Sequence, residues 1–378
     1  MTETMESESG ARTDAALAES RAHMHYALLR LAGRVPDDVL VQCRELLGRG
    51  RLAESASSLM FAVGQYRVSI DGRDADLLEA LLTDEPGAAA RRADLEVVDG
   101  DVMTPFVFDH PDGSGPDPFT GEDQAPPEID PMLDGDVDQV RRAAVEWAES
   151  LPQDVVGIWR VVRSPSSRSS WPRPRLVWVV EVTDDADAVD VTAGFTRLLR
   201  EQGVALPLVE CYHIGTRLPA YQDVGRLRGD MVWSSDLIVG RDDPTVARVF
   251  DFVDDDGQPG FHDDHERIPE DERGPLAEYL AAGEPLLMTT GLIDDVVDVE
   301  RREVVPLSFR TDGYWIWVDA IEYYLTEHGI APEADLLAHL RSRAGTVPAP
   351  SGVQLYRALA VMQRGADEDD PEPGADDD

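Results

Sequence analysis

Lysine and asparagine are absent from this chain, and all 34 of its basic residues are arginine. Codons for both missing residues are rich in A and T. The absence therefore reads as the imprint of a GC-rich genome rather than a requirement of function. Only two cysteines occur, Cys43 and Cys211, and neither has a partner at C-x-x-C spacing. That argues against a disulfide framework and against a structural zinc site. No apolar run approaches the length needed to span a bilayer, and the N-terminus is acidic, without the charged-then-apolar order of a secretory signal. The expected setting is soluble and cytoplasmic. The common catalytic signatures are missing as well: there is no G-x-S-x-G, no G-x-x-x-x-G-K-[ST], no G-x-G-x-x-G after a strand and no H-E-x-x-H.

What the chain has in excess is acid. Its 75 Asp and Glu against 34 basic residues give a formal net charge of −41. Such a field repels nucleic acid and anionic membranes, both of which carry phosphates. It favours solubility and attraction to a basic protein. The length of 378 residues leaves ample room for a core that needs neither disulfide nor metal.

Composition and periodicity predict an α+β fold: a helical N-terminal region followed by two small α/β sandwich-like modules. Residues 1–13 are polar and read as a disordered tail. Residues 14–104 are mainly helical, with apolar stripes through Leu17, Met24, Leu28 and Leu31, through Val39, Cys43, Leu46 and Leu47, and through Leu52, Leu59, Met60 and Val63. Residues 105–131, rich in Pro, Gly and Asp, read as a linker. Residues 132–235 follow the order α-β-β-α-β of a compact central α/β domain, with Val-rich strands over 155–162 and 176–182 and an amphipathic helix over 187–202. Residues 236–364 form a C-terminal α/β module, and 365–378 a disordered acidic tail.

The sharpest pattern runs from Val304 to Arg341. Val305, Leu307 and Phe309 alternate with polar or turn residues, which predicts a half-buried strand. Thr311-Asp312-Gly313 reads as a turn. From Trp317 the period changes, and Trp317, Ile321, Tyr324, Leu325 and His328 fall on one helical face that Gly329 closes. Pro332 opens a second helix carrying Leu336, Leu337 and Leu340. Trp317, Tyr324 and Leu325 are the expected core of this nucleus.

The motif TDGYWIW followed by YYLTEHGIAP, within Val305 to Arg341, resembles a C-terminal module of an uncharacterised high-GC Gram-positive bacterial family. The middle segment, including LVECYHIGTRLPAYQ, resembles material from the same group and the small α/β domains of SseB-type accessory proteins. These resemblances bring no activity and no catalytic residues. Such modules invite comparison with the immunity proteins of bacterial toxin systems.

Four stretches carry candidate chemistry. DDDGQPGFHDDHE, over 254–266, holds His262 and His265 beside carboxylates, a set suited to zinc or manganese, but its Pro and Gly favour a solvated acidic loop. Asp294, Asp295 and Asp298 follow a strand and suit either a cation or plain surface charge. Asp312 with His328 is a conceivable base and orienter, against a turn-forming Asp312 and a helix-terminal His328. Arg160, Arg163, Arg168 and Arg173 gather around a serine-rich loop, either as an anion site or to balance local acid. His23 and His25, two apart on one helix, do not share a face for a metal.

The leading expectation is a non-catalytic protein-binding or regulatory protein, immunity-like, that neutralises a basic partner. Its contact residues are expected to be Tyr314, Trp315 and Asp312, with no cofactor and no metal. The alternatives are a metal-dependent hydrolase using the His262/His265 acidic loop, and an acidic nucleic-acid mimic.

Overall fold

The computed structural model describes residues 2–100, 102, 104–112, 129–166, 173–343 and 347–369. The fold is mixed α and β, and the chain forms two compact units, 1–238 and 239–378. The helical region and the central α/β layer share the first of these.

In the first unit the helices α1 (Thr2–Arg30), α2 (Asp37–Gly48), α3 (Leu52–Tyr66), α4 (Gly72–Leu81) and α5 (Ala88–Ala93) come first. α1 starts well ahead of Asp14, where the sequence pattern places it. Two short strands, β1 (Ile70–Asp71) and β2 (Val97–Val98), pair in parallel beside them. The main sheet follows: β3 (Phe106–Asp109), β4 (Val155–Pro165), β5 (Arg175–Val182), β6 (Leu208–His213) and β7 (Asp230–Ser234). Its order is β3-β4-β5-β6, with β7 pairing β4 beyond the end of β3. β4 and β5 form an antiparallel hairpin, while β5 and β6 run parallel and are joined through a helix.

α6 (Pro131–Asp134), α7 (Val137–Glu149), α8 (Ala188–Glu201), α9 (Ala220–Arg228) and α10 (Asp236–Val239) complete the helices of this part of the chain. Asp136 and Asp187 cap α7 and α8 by accepting amides of the first turn. Val140, Ala144, Ala148, Phe195 and Leu199 of α7 and α8 pack on Ile158, Trp178, Val180 and Cys211 of the sheet. All eight residues of β5 are buried, as expected of a strand covered on both faces. One expectation fails here: residues 106–109, read as linker, are a strand. Phe106 to Asp109 pair with Pro165 to Val162, and only that partner, distant in sequence, makes FVFD a strand in a Pro- and Gly-rich stretch.

The second unit is built on β8 (Thr245–Val246), β9 (Phe252–Val253), β10 (Pro259–Gly260), β11 (Glu284–Leu287), β12 (Leu292–Ile293), β13 (Val305–Pro306), β14 (Phe309–Thr311) and β15 (Trp315–Val318). Its largest sheet has the order β11-β14-β15-β8. The helices are α11 (Glu270–Ala281), α12 (Ala320–His328), α13 (Ala334–Ser342) and α14 (Gly352–Asp369). The single strand expected over 305–310 is two strands in two sheets, β13 against β12 and β14 against β11 and β15.

The helix expected from Trp317 begins instead at Ala320, and Trp317 lies in β15 opposite Arg310. The segment WIWV satisfies both periods over so short a span, and hydrogen bonding to β14 and β8 selects the strand. Trp317, Tyr324 and Leu325 are nonetheless all buried. The Trp317 indole donates to the carbonyl of Leu280 at 3.2 Å and lies against Gly283, where a Cβ would collide with the ring. Leu336, Leu337 and Leu340 of α13 close the same core. Among the described residues no helix is long and apolar enough to cross a membrane.

Replacing Trp317 by Ala is expected to cost about 3–5 kcal/mol, the usual penalty for deleting a large core aromatic. A chemical denaturation midpoint unmoved by the substitution would show that the indole does not hold this core together.

Candidate functional site

The turn that joins β14 to β15 is the feature on which the sequence placed its contact residues. Gly313 adopts φ +89°, a left-handed conformation that favours glycine. Asp312 has no exposed surface. Its Oδ1 accepts the amides of Tyr314 and Trp315, each at 2.9 Å. Its Oδ2 accepts the Tyr279 hydroxyl at 2.8 Å and Nε2 of His339 at 2.5 Å. Burial alone would push the carboxyl up. The His339 contact and the two turn amides outweigh it and hold the group below the ordinary carboxylate value. The Tyr279 hydroxyl moves the opposite way, raised by burial and by donating to a carboxylate.

Asp312 therefore shapes the turn from within and presents nothing to a partner. Tyr314 is 48% exposed, with the Arg343 guanidinium 4.3 Å from its ring centre, and Trp315 is half-buried. The His339 ring sits within 6.4 Å of the rings of Tyr279, Tyr314 and Trp315. His339 was not singled out in the sequence. Its one signal is a polar residue set between Leu337 and Leu340 of an apolar helix face.

His328, the expected companion of Asp312, pairs instead with Asp295, whose Oδ2 accepts its Nε2 at 2.6 Å. The same carboxylate accepts Tyr323 Oη at 3.0 Å, and its Oδ1 accepts the amides of Val297 and Asp298 at 2.8 and 3.1 Å. Asp295 thus repeats the Asp312 arrangement: two turn amides, one tyrosine, one histidine. Its carboxyl is also held low, because those bonds outweigh burial. Asp294 and Asp298 turn to Arg302 and Arg301, so the three carboxylates do not converge on a cation.

His262 and His265 are likewise occupied. His265 bonds Asp251 through Nδ1 at 2.8 Å and donates Nε2–H to the carbonyl of Ala331 at 2.9 Å. His262 lies 5.1 Å from the Phe252 ring, and its amide donates to Asp251. Among the described residues no group of three or more His, Cys, Asp or Glu is placed to hold a metal.

In the first unit the arginines around the serine-rich loop meet carboxylates. Arg160 donates to Asp230 at 2.8 Å, Arg163 to Asp37 at 2.7 and 2.8 Å, and Arg173 to Asp130 at 2.7 Å. Arg168 lies outside the described residues. The balance of local acid is present, but Arg160 and Arg163 achieve it while buried rather than exposed.

A cleft of about 240 Å³ opens between α1 and the start of α8, lined by Arg21, His25, Tyr26, Asp187 and His213 among others. β6 is the edge of the main sheet, and His25 Nε2–H donates to its Cys211 carbonyl at 2.8 Å. Burial drives His25 down to about 4, so the ring is neutral near pH 7 and Nδ1 carries the lone pair. His213 donates Nε2–H to the Ala186 carbonyl at 2.9 Å, and its Nδ1 is hydrogen-bonded to the Tyr26 hydroxyl at 2.7 Å. These bonds tie α1 to the sheet edge. Both cysteines are free and buried, and burial pushes both thiols up to about 12, where they are unreactive.

No family model, curated protein or solved structure matches the chain.

The lowered Asp312 carboxyl has a defined pH signature. A depressed folded value contributes stability that is present above the unfolded value, about 3.9, and lost as pH falls through the folded one. At neutral pH Asp312→Asn is expected to cost about 3 kcal/mol, because a buried charged acceptor is lost. The gap between wild type and variant should narrow on acidification below the usual carboxylate range. Equal gaps across that range in denaturant titrations would refute an ionised Asp312.

Proposed function

We propose that the protein is a non-catalytic binding or regulatory protein, cytoplasmic and immunity-like, that engages a basic protein partner. The observation that carries this reading is the net charge of −41. Electrostatic steering by such a field raises association rates with cations and disfavours polyanions. The commitment of Asp312, Asp295 and His265 to turns and carbonyls supports it, because these residues are spent on holding loops rather than on reacting groups. Tyr314 is the proposed anchor, with Trp315 behind it, since exposed aromatics dominate interface hot spots. Asp312 contributes by fixing the turn that presents them.

The test is affinity capture from host lysate followed by kinetics on the retained basic protein. Association should slow steeply as salt rises and screening shortens to about 8 Å. Dissociation should change much less, and Tyr314→Ala should speed it about tenfold or more. A partner that associates equally fast at low and high salt would end the electrostatic reading.

A further inference from the structure

The geometry points to an oxyanion-binding pocket between α2 and α8, of a size and charge suited to one phosphate group. It lies in the first unit and is independent of the basic-partner reading. A cavity of about 160 Å³ is lined by Arg44, Glu45, Arg49, Thr196, Arg197 and Arg200. The two helices come close at Gly48 and Ala193, where a Cβ on the glycine would lie 2.6 Å from the alanine Cβ. That close approach brings arginines from both helices to one opening. In a chain of net charge −41, four guanidinium groups here face a single carboxylate.

Glu45 and the Ala205 carbonyl together satisfy Arg200, and the other three are left short. Glu45 is shared by Arg200 at 2.6 Å and Arg49 at 3.5 Å. Arg197, exposed on the rim, has no carboxylate partner among the described residues. Arg44 is 4% exposed, and its Nη2 donates to Glu210 at 2.6 Å, while Nε and Nη1 have no hydrogen-bond partner. Glu210 is itself shared, accepting Gln222 Nε2 at 2.8 Å. A buried guanidinium has five donors, and each left without an acceptor carries a desolvation cost. An oxyanion in the cavity accepts from the rim arginines and brings negative charge near the Arg44 cation, whose unpaired Nε and Nη1 are themselves closed to solvent.

The ligand class follows from shape. A planar carboxylate is satisfied by one guanidinium fork, whereas a tetrahedral oxyanion accepts from several converging forks. The cavity of about 160 Å³ is roomy enough for one phosphate group. The organic part of a phosphomonoester would extend past the rim. Thr196 also lines the wall.

The test is calorimetric titration of the full chain with inorganic phosphate and with adenosine monophosphate, each against chloride at matched ionic strength. Matching is needed because any salt relieves self-repulsion in so acidic a chain. One saturable site is expected, weakened about tenfold or more in Arg197→Gln/Arg200→Gln, since each charge-assisted bond is strong. Both residues are exposed, and the Arg200 bonds to Glu45 and the Ala205 carbonyl are surface interactions of small net worth, so the variant should stay close to the wild-type denaturation midpoint. Arg142→Gln, on exposed α7 surface, should bind as wild type does. Tighter binding of the monophosphate would identify a phosphomonoester as the natural source, and equal or tighter binding of inorganic phosphate the free anion. Absence of saturable heat above chloride would show a cavity that holds only water. Binding unchanged in the double variant, or weakened equally by Arg142→Gln, would likewise overturn the proposal.

Discussion

A carboxylate removed from water survives only if its oxygens are answered by donors, and the second unit depends on that constraint. Asp312 and Asp295 are both buried, and each holds a turn by accepting two amides two and three residues ahead. Each then spends its second oxygen on a tyrosine and a histidine from helices packed nearby. The turn is thereby fastened to the helices by one side chain. Asp251 performs a related task, joining the His262 amide and the His265 ring, whose other nitrogen reaches the carbonyl of Ala331. The sheet of this unit has few and short strands, so loops carry much of its backbone, and these aspartates supply order that a larger ladder would otherwise give.

The first unit solves a different problem. Its β4 is buried from Val155 to Arg163 and β5 over its whole length, which removes water as a partner for polar side chains there. Arg160, Arg163 and Arg175 on these strands, and Glu210 on the buried β6 beside them, are therefore paired from neighbouring elements: Asp230, Asp37, Asp134 and Arg44. Such pairs contribute little net stability against an apolar replacement, but losing one partner leaves a buried charge and is costly. Two of them, Arg163–Asp37 and Arg44–Glu210, tie the helical region to the sheet. Arg44 and Arg163 both have donors left unmet, and Arg44 lies where α2 and α8 leave a cavity.

Regular elements were legible where one periodicity held over many residues. The strands over 155–162 and 176–182 and the helix over 187–202 are present close to their expected bounds, because Val-rich runs and a capped amphipathic stripe leave few alternatives. FVFD at 106–109 was illegible because its flanks are turn-forming and its strand character comes from pairing with β4. Trp317 was read as the first residue of a helix because Trp317, Ile321 and Tyr324 keep helical spacing. WIWV also alternates, and β14 decides between the two. Burial of Trp317 was still foreseeable, since a large aromatic in an apolar stripe is driven inward under either geometry.

Charge, composition and local period are properties of the chain alone, and from them follow the acidity, the α+β class and the core of the C-terminal nucleus. The turn role of Asp312 is equally local, since its amide partners lie two and three residues away. Which histidine meets which aspartate is not local. Asp312 pairs with His339 across 27 residues and Asp295 with His328 across 33. The Arg44–Glu210 pair spans 166. Nothing in a linear pattern ranks one such partner above another. The choice is made when helices pack on sheets and bring particular donors within reach of each buried carboxylate.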